Sequence, residues 1–180
     1  MNIRAYDKPL VYNLSLVDDW AVFGTFKFNT YRNNDHCLRI WYDFIRQVER
    51  RNQGQWLAKL EGSNTWRSAQ KHIHYLIAKK GTKNEWKNSN IVNSINSITC
   101  LMSVKNSAYR YDMEKGSHKV EAYNSEQGAK HYISKMCFND TLNLDAKGLD
   151  NAEHCCWKMS HKLKQRIRKL NENNEKPCYH

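Results

Sequence analysis

The sequence predicts an α+β domain with helices packed on a central antiparallel sheet. Three observations lead there. Runs that alternate apolar and polar residues, or are dense in aromatic and β-branched ones, occur at 20–29, 55–62, 72–78 and 109–124. Other stretches carry apolar residues every three or four positions, the spacing of one helix face. Two of the alternating runs, 55–62 and 72–78, follow each other across a polar loop, which is the layout of an antiparallel hairpin.

The elements follow in order. Residues 1–19 read as an N-terminal arm or lead-in loop. Trp20 to Asn29 is a strand with Val22, Phe26 and Phe28 on one face and Thr25 and Lys27 on the other. His36 to Asn52 is a helix whose apolar face is Cys37, Trp41, Phe44, Ile45 and Val48. In the strand Gln55 to Gly62, Trp56, Ala58 and Leu60 share one face, and Leu57, Lys59 and Glu61 share the other. The strand at His72 to Ala78 comes next, then a basic connection over 79–90.

Ile91, Ile95, Ile98 and Met102 mark a helix over 91–104, despite its weak helix formers. Tyr109 to Asn124 reads as a strand pair turning at Lys115-Gly116-Ser117. Ser125 to Phe138 reads as a helix with Ser125 as its N-cap. A short strand is expected at 141–144. A last helix is expected from about Cys155 to Leu170, with Cys156, Met159, Leu163, Ile167 and Leu170 on one face, before a polar tail over 171–180.

Length and charge narrow the function. At 180 residues the chain is long enough for one domain with a hydrophobic core, and 40% hydrophobic residues exclude a disordered chain. A formal net charge of +11 suits a polyanionic partner, nucleic acid first. No run reaches transmembrane length, and Met1 to Leu16 lacks the apolar core of a signal peptide. The expected location is therefore the reducing cytoplasm, or DNA within the cell, with no membrane partner. The six cysteines, at 37, 100, 137, 155, 156 and 178, form no C-x-x-C pair and are expected mostly as thiols. The irregular spacing of His154, Cys155, Cys156, Cys178 and His180 argues against a zinc site.

The chemistry centres on His72-Ile73-His74. On a strand the two imidazoles share a face, two residues apart, close enough to hold one metal ion. The hairpin brings Glu61 to that face as a third ligand. Imidazole with carboxylate suits Mn²⁺ or Mg²⁺. Such a site leaves coordination positions open for a phosphate oxygen of DNA.

A second group lies at Tyr132 and Lys135, three apart on one helix face. A phenol is a poor nucleophile at neutral pH, and a nearby cation and a metal-activated phosphate both ease its attack. The product is a 5′-phosphotyrosine bond and a free 3′-hydroxyl. The fallback nucleophile is Tyr123. Lys79, Lys80, Lys83 and Lys87 in the basic connection, and Lys158 and Lys162 in the last helix, are candidate contacts to the DNA backbone, with Trp86 available to stack on a base.

In this order (the strand at 20–29, Glu61, His72-Ile73-His74, then Tyr132-Ile133-Ser134-Lys135 within Gly128–Lys135) the chain resembles the HUH endonucleases. It is most similar in character to the single-tyrosine rolling-circle replication initiators, the Rep proteins of plasmids and small viruses. The resemblance spans about residues 20–165, with Trp157 to Leu163 similar to the closing segment of such proteins. It implies a catalytic domain over 20–170 with a sheet of about five antiparallel strands, of the HUH, ferredoxin-like type. It implies metal-dependent, sequence-specific nicking and joining of single-stranded or hairpin DNA at a replication origin, which initiates and terminates rolling-circle replication.

Phe23-Gly24-Thr25-Phe26-Lys27-Phe28-Asn29 is only loosely like the family's first motif. Met136 stands where a second tyrosine would, which argues against a two-tyrosine mechanism. No G-x-x-x-x-G-K-[ST] motif occurs, so a host helicase, like the host polymerase, is an expected partner. Two other readings stand beside this one: an HUH single-strand DNA transposase, and a non-catalytic basic nucleic-acid-binding protein.

Overall fold

In a computed structural model of the protein, His72–Ala78 forms the middle strand of a five-stranded antiparallel sheet. The structure describes residues 8–28, 34–52, 55–61, 71–79, 88–103, 118–127 and 157–174, with only the backbone at residues 8, 9, 34, 51, 52, 61, 88–90, 103 and 127. In chain order the elements are α1 (Lys8–Ser15), β1 (Trp20–Lys27), α2 (Asn34–Asn52), β2 (Gln55–Glu61), β3 (His72–Ala78), α3 (Asn88–Ser103), β4 (Lys119–Ala122), β5 (Trp157–Met159) and α4 (His161–Asn174). The sheet order is β4-β1-β3-β2-β5, and every neighbouring pair is antiparallel. Among the described residues no helix is long and apolar enough to cross a membrane.

Helices α2 and α3 cover one side of the sheet. Their apolar faces, Cys37, Trp41, Phe44, Ile45 and Val48 with Ile91, Ile95, Ile98 and Met102, are buried as their spacing predicts. They meet Val22, Phe26, Trp56, Ala58, Leu60, Ile73, Tyr75 and Ile77. Trp41 is at the centre, with its ring centroid 5.2 Å from both Phe44 and Tyr75 and 5.7 Å from Trp56. The Trp56 indole N–H donates to Glu49 of α2 at 2.8 Å, tying helix to sheet. Gly24 pairs directly with Tyr75, and a β-carbon at Gly24 would land on the Tyr75 ring. A glycine inside this strand thus makes room for an aromatic neighbour.

The other side is built differently. Leu57, Leu76, Ala78, Trp157 and Met159 form a second core with Leu10, Leu14 and Val17 from the N-terminal segment and Leu163 and Ile167 of α4. Residues 8–15, expected within an arm or lead-in loop, are the helix α1. Pro9 sits in its first turn, where a missing N–H costs nothing. Leu10, Leu14 and Val17 recur at helical spacing and are fully buried, and the Trp20 indole N–H donates to the Leu14 carbonyl at 3.1 Å as the helix ends. The Arg166 guanidinium binds Asp19 at 2.6 Å and Asp18 at 3.1 Å, which joins α4 to the segment after α1.

Of the single helix expected from Cys155 to Leu170, residues 155 and 156 lie outside the described residues and the rest is two elements. Trp157–Met159 is strand β5, and the helix begins at His161. Met159 fits both a three-to-four spacing and an alternation with Trp157, and the outer edge of β2 selects the strand by supplying hydrogen-bond partners. Ser160 is the hinge. Its hydroxyl accepts the Leu163 N–H at 3.3 Å as an N-cap and the Trp56 N–H at 3.2 Å, and its own N–H donates to the Trp56 carbonyl at 2.9 Å. The last helix extends to Asn174, into the stretch expected as a polar tail.

Helix α3 starts three residues earlier than its apolar pattern does. β4 is the outgoing half of the strand pair expected over 109–124. Residues 109–117, 128–138 and 141–144 lie outside the described residues. Ser125–Gln127 forms a single 3-10 turn, and the side chain that caps it is Asn124, whose Oδ1 accepts the Glu126 N–H at 2.9 Å, rather than Ser125.

Candidate metal centre

Register decides which side chains share a face, and a one-residue slip would invert every one of them. In β2–β3, Glu61 pairs with His72 and Lys59 with His74. In β1–β3, Lys27 pairs with His72 and Thr25 with His74. Directly paired residues project on the same side of a sheet. The histidines therefore share their face with Thr25 and Lys27 on one flank and with Lys59 and the Glu61 position on the other. The hairpin expected from the sequence has the register that the three-ligand reading needs.

This polar group occupies one end of the face that carries the second core. On β3, His72 and His74 come first, then Leu76 and Ala78 enter the core. His74 is buried, at 6% exposure, while His72 is half-buried. Their ring centroids are 4.7 Å apart with planes at 82°. Two imidazoles that each bond one ion at about 2.0–2.1 Å, with an angle near 90–110° between the bonds, hold their centroids roughly 4.5–5.3 Å apart. The pair thus already has the spacing of two ligands to one ion.

Two residues of β1 fix the His74 ring. Thr25 Oγ1 and His74 Nδ1 share a hydrogen bond of 3.0 Å. The Phe23 ring stacks on the imidazole, 6.0 Å away and 10° from parallel. With Nδ1 engaged by Thr25, the nitrogen that would meet a metal is Nε2. On the far flank Lys59 is 1% exposed, and its ammonium lies 5.5 Å from the centroid of the Trp157 ring. That cation–π contact holds a positive charge inside the fold, on the strand beside His74. The donor set fits a divalent cation bound by two imidazoles, with Glu61 at the backbone position for a third ligand. Among the described residues no group of three His, Cys, Asp or Glu side chains surrounds the pair, and the Glu61 side chain is not one of those described.

The remaining candidates divide sharply. Tyr132, Lys135, Lys80, Lys83, Trp86 and Lys87 lie outside the described residues. Lys79 follows the other end of β3, where its N–H donates to the Asp19 carbonyl at 2.8 Å. Five residues of strand, about 17 Å, separate it from His74. Lys158 was expected on the last helix, but it belongs to β5 and pairs with Ala58, on the side opposite the histidines. Lys162 is exposed in the first turn of α4. These three lysines do not gather around the pair.

Tyr123, the fallback nucleophile, shares the histidine face but lies beyond the end of β4, its N–H bonded to the Ala21 carbonyl. That is four residues, about 13 Å, along the sheet from the Thr25 level. Burial raises the pKa of its phenol, which makes it a poorer nucleophile still. His118 packs against Phe26 at 5.0 Å, on the α2 and α3 side, and its Nδ1 accepts the Lys27 N–H at 3.3 Å.

The sequence places Thr25 and Lys59 on strand faces, and Phe23 and Thr25 in the run loosely like the family's first motif, but it links none of the three to His74. The signal was present as parity within each strand, and only cross-strand register connects those parities to His74. Comparison of the chain with protein-family models, with curated proteins and with solved structures finds no match in any of the three.

Proposed function

We propose that the chain is a metal-dependent DNA nickase and strand transferase of the HUH endonuclease type, which starts and ends rolling-circle replication. The observation that carries this reading is the His72–His74 pair, spaced for one ion, with Glu61 registered opposite His72. The connectivity supports it too. Among the described elements the chain order β1–α2–β2–β3–α3–β4 and the strand order β4-β1-β3-β2 are consistent with a split βαββαβ arrangement of the ferredoxin-like kind, with β5 added at the β2 edge. The formal charge of +11 supports a polyanionic substrate.

A divalent ion bound here would supply a Lewis acid for the scissile phosphate. His72, His74 and Glu61 would hold it, and the buried Lys59 ammonium would add positive charge on the same face. Tyr132 attacks phosphorus through its phenol oxygen. The tyrosine O–P bond forms as the phenol gives up its proton, the bond to the 3′-oxygen breaks, and that oxygen takes up one proton in its place to leave as a free 3′-hydroxyl. Lys135 neutralises charge that builds up during attack. The phosphodiester energy stays in the phosphotyrosine, so a 3′-hydroxyl can reverse the step and join strands without ATP.

The test is incubation with Mn²⁺ and single-stranded oligonucleotides, followed by denaturing electrophoresis. The native chain is expected to form a covalent adduct, and Tyr132→Phe is expected to lose it while still binding DNA. DNA binding by the native chain with neither cleavage nor adduct would make it a non-catalytic binder. An adduct that survives in Tyr132→Phe would move the nucleophile elsewhere. A native adduct that requires transposon-end substrates would favour the transposase.

A further inference from the structure

The His74 ring is constrained from two directions by one strand. Phe23 and Thr25 are two apart on β1, so both project on the histidine side. Phe23 lies against the ring face and sets its plane. Thr25 meets the ring edge at Nδ1. Both contacts follow from the β1–β3 register, in which Thr25 pairs with His74 and Phe23 with Leu76. His72 meets the His74 ring edge-on, at 82°. An imidazole can bind a metal through either nitrogen, and the hydrogen bond made by one nitrogen determines which is left for the metal.

We infer that Thr25 is a positioning residue for the metal centre: its hydroxyl occupies His74 Nδ1, so that divalent cations bind His74 through Nε2. The inference rests on the metal-binding half of the proposed function and extends it to a residue outside the ligand set. A hydroxyl is suited to this task because it rotates. It donates to a bare Nδ1, and it accepts from Nδ1–H once Nε2 is committed to a cation. The same side chain therefore serves the centre before and after loading without moving a heavy atom. Serine retains this function, whereas valine retains the shape and loses it.

The experiment uses the full chain, labelled with ¹⁵N-histidine and titrated with ¹¹³Cd²⁺ alone. In the native protein scalar coupling from cadmium is expected at His74 Nε2. Thr25→Val is expected to bind Cd²⁺ about 10–100-fold more weakly, or to show coupling through Nδ1, while Thr25→Ser stays within about threefold of native affinity. A merely structural threonine would lower the melting temperature of the metal-free protein and leave the coupled atom and the affinity of the folded variant unchanged.

Coupling at Nδ1 in the native chain overturns the inference, as does native affinity with Nε2 coupling in Thr25→Val. The native measurement needs no variant, so it decides the matter should Thr25→Val fail to fold. Absence of Cd²⁺ binding at the pair overturns both this inference and the metal half of the proposed function. Thr25-dependent Cd²⁺ binding by a chain that never forms a DNA adduct supports the inference and overturns the nickase reading alone.

Discussion

The two sides of the sheet carry the same strands to different ends. Toward α2 and α3, Ile73, Tyr75 and Ile77 of β3 enter an unbroken apolar layer with Trp41 and Phe44. On the reverse side the residues between them begin polar, with His72 and His74, and turn apolar at Leu76 and Ala78. Half of that side is core, closed by α1 and α4, and the other half is the histidine group. Burial does not separate the two, since His74 and Lys59 are as enclosed as many core residues. Hydrogen bonding and charge do. The histidine end makes a directed polar contact, Thr25 to His74 Nδ1, while the helix-covered layer is held by contact area.

Trp41→Ala should have the largest effect on stability. It removes the ring at the middle of the aromatic cluster and should cost about 3–5 kcal/mol in chemical unfolding, with cation binding retained by the folded fraction. Gly24→Ala should cost about 1–3 kcal/mol, because the new methyl group displaces the Tyr75 ring. Adding Tyr75→Leu should recover part of that loss, and strictly additive costs would show that the ring is not the obstacle.

Alkaline pH should act on the same layer. Burial holds the Tyr75 phenol far above its ordinary range, whereas an unfolded phenol ionises near pH 10. The phenol is then protonated in both states below about pH 10, where its contribution is fully present, and ionisation of the unfolded chain draws stability away above it. Tyr75→Phe should flatten that fall, by up to about 1.4 kcal/mol per pH unit in stability curves above pH 10. An unchanged slope would place the alkaline sensitivity elsewhere.

The smallest stability effect is expected on the other side. His74→Ala should cost about 1–2 kcal/mol of folding stability, by loss of the hydrogen bond to Thr25 and the ring contacts with Phe23 and His72, yet abolish high-affinity cation binding measured by calorimetry. A cost near that of Trp41→Ala, with cation binding unchanged, would make His74 a core residue and erase the contrast between the two sides.

Several features of the site were legible in the chain. The alternation at His72-Ile73-His74 placed both imidazoles on one face, and the polar loop before it implied the hairpin that pairs Glu61 with His72. Thr25, Phe23 and Lys59 were not legible as partners of His74. Thr25 is 49 residues from His74 in sequence, and no local pattern encodes which strand becomes the neighbour. Lys158 shows the reverse case. Its place in a run of basic residues suggested a helix face, and its pairing with Ala58 put it on the wrong side of the sheet.

The sequence by itself determined the strands β1, β2 and β3, the apolar faces of α2 and α3, and the parity of the histidine pair. These depend on local periodicity, which sterics and burial impose within a few residues. Only the tertiary structure decided that residues 8–15 are a helix, that Trp157–Met159 is a strand, and that β1 lies beside β3. In each of these the local signal was short or fitted two periods, and the choice came from partners far away in sequence. Leu163 and Ile167 bury the short α1 face. The β2 edge offers Trp157–Met159 its ladder. β1 and β3 pair because that arrangement covers the apolar parity of both strands with the same two helices.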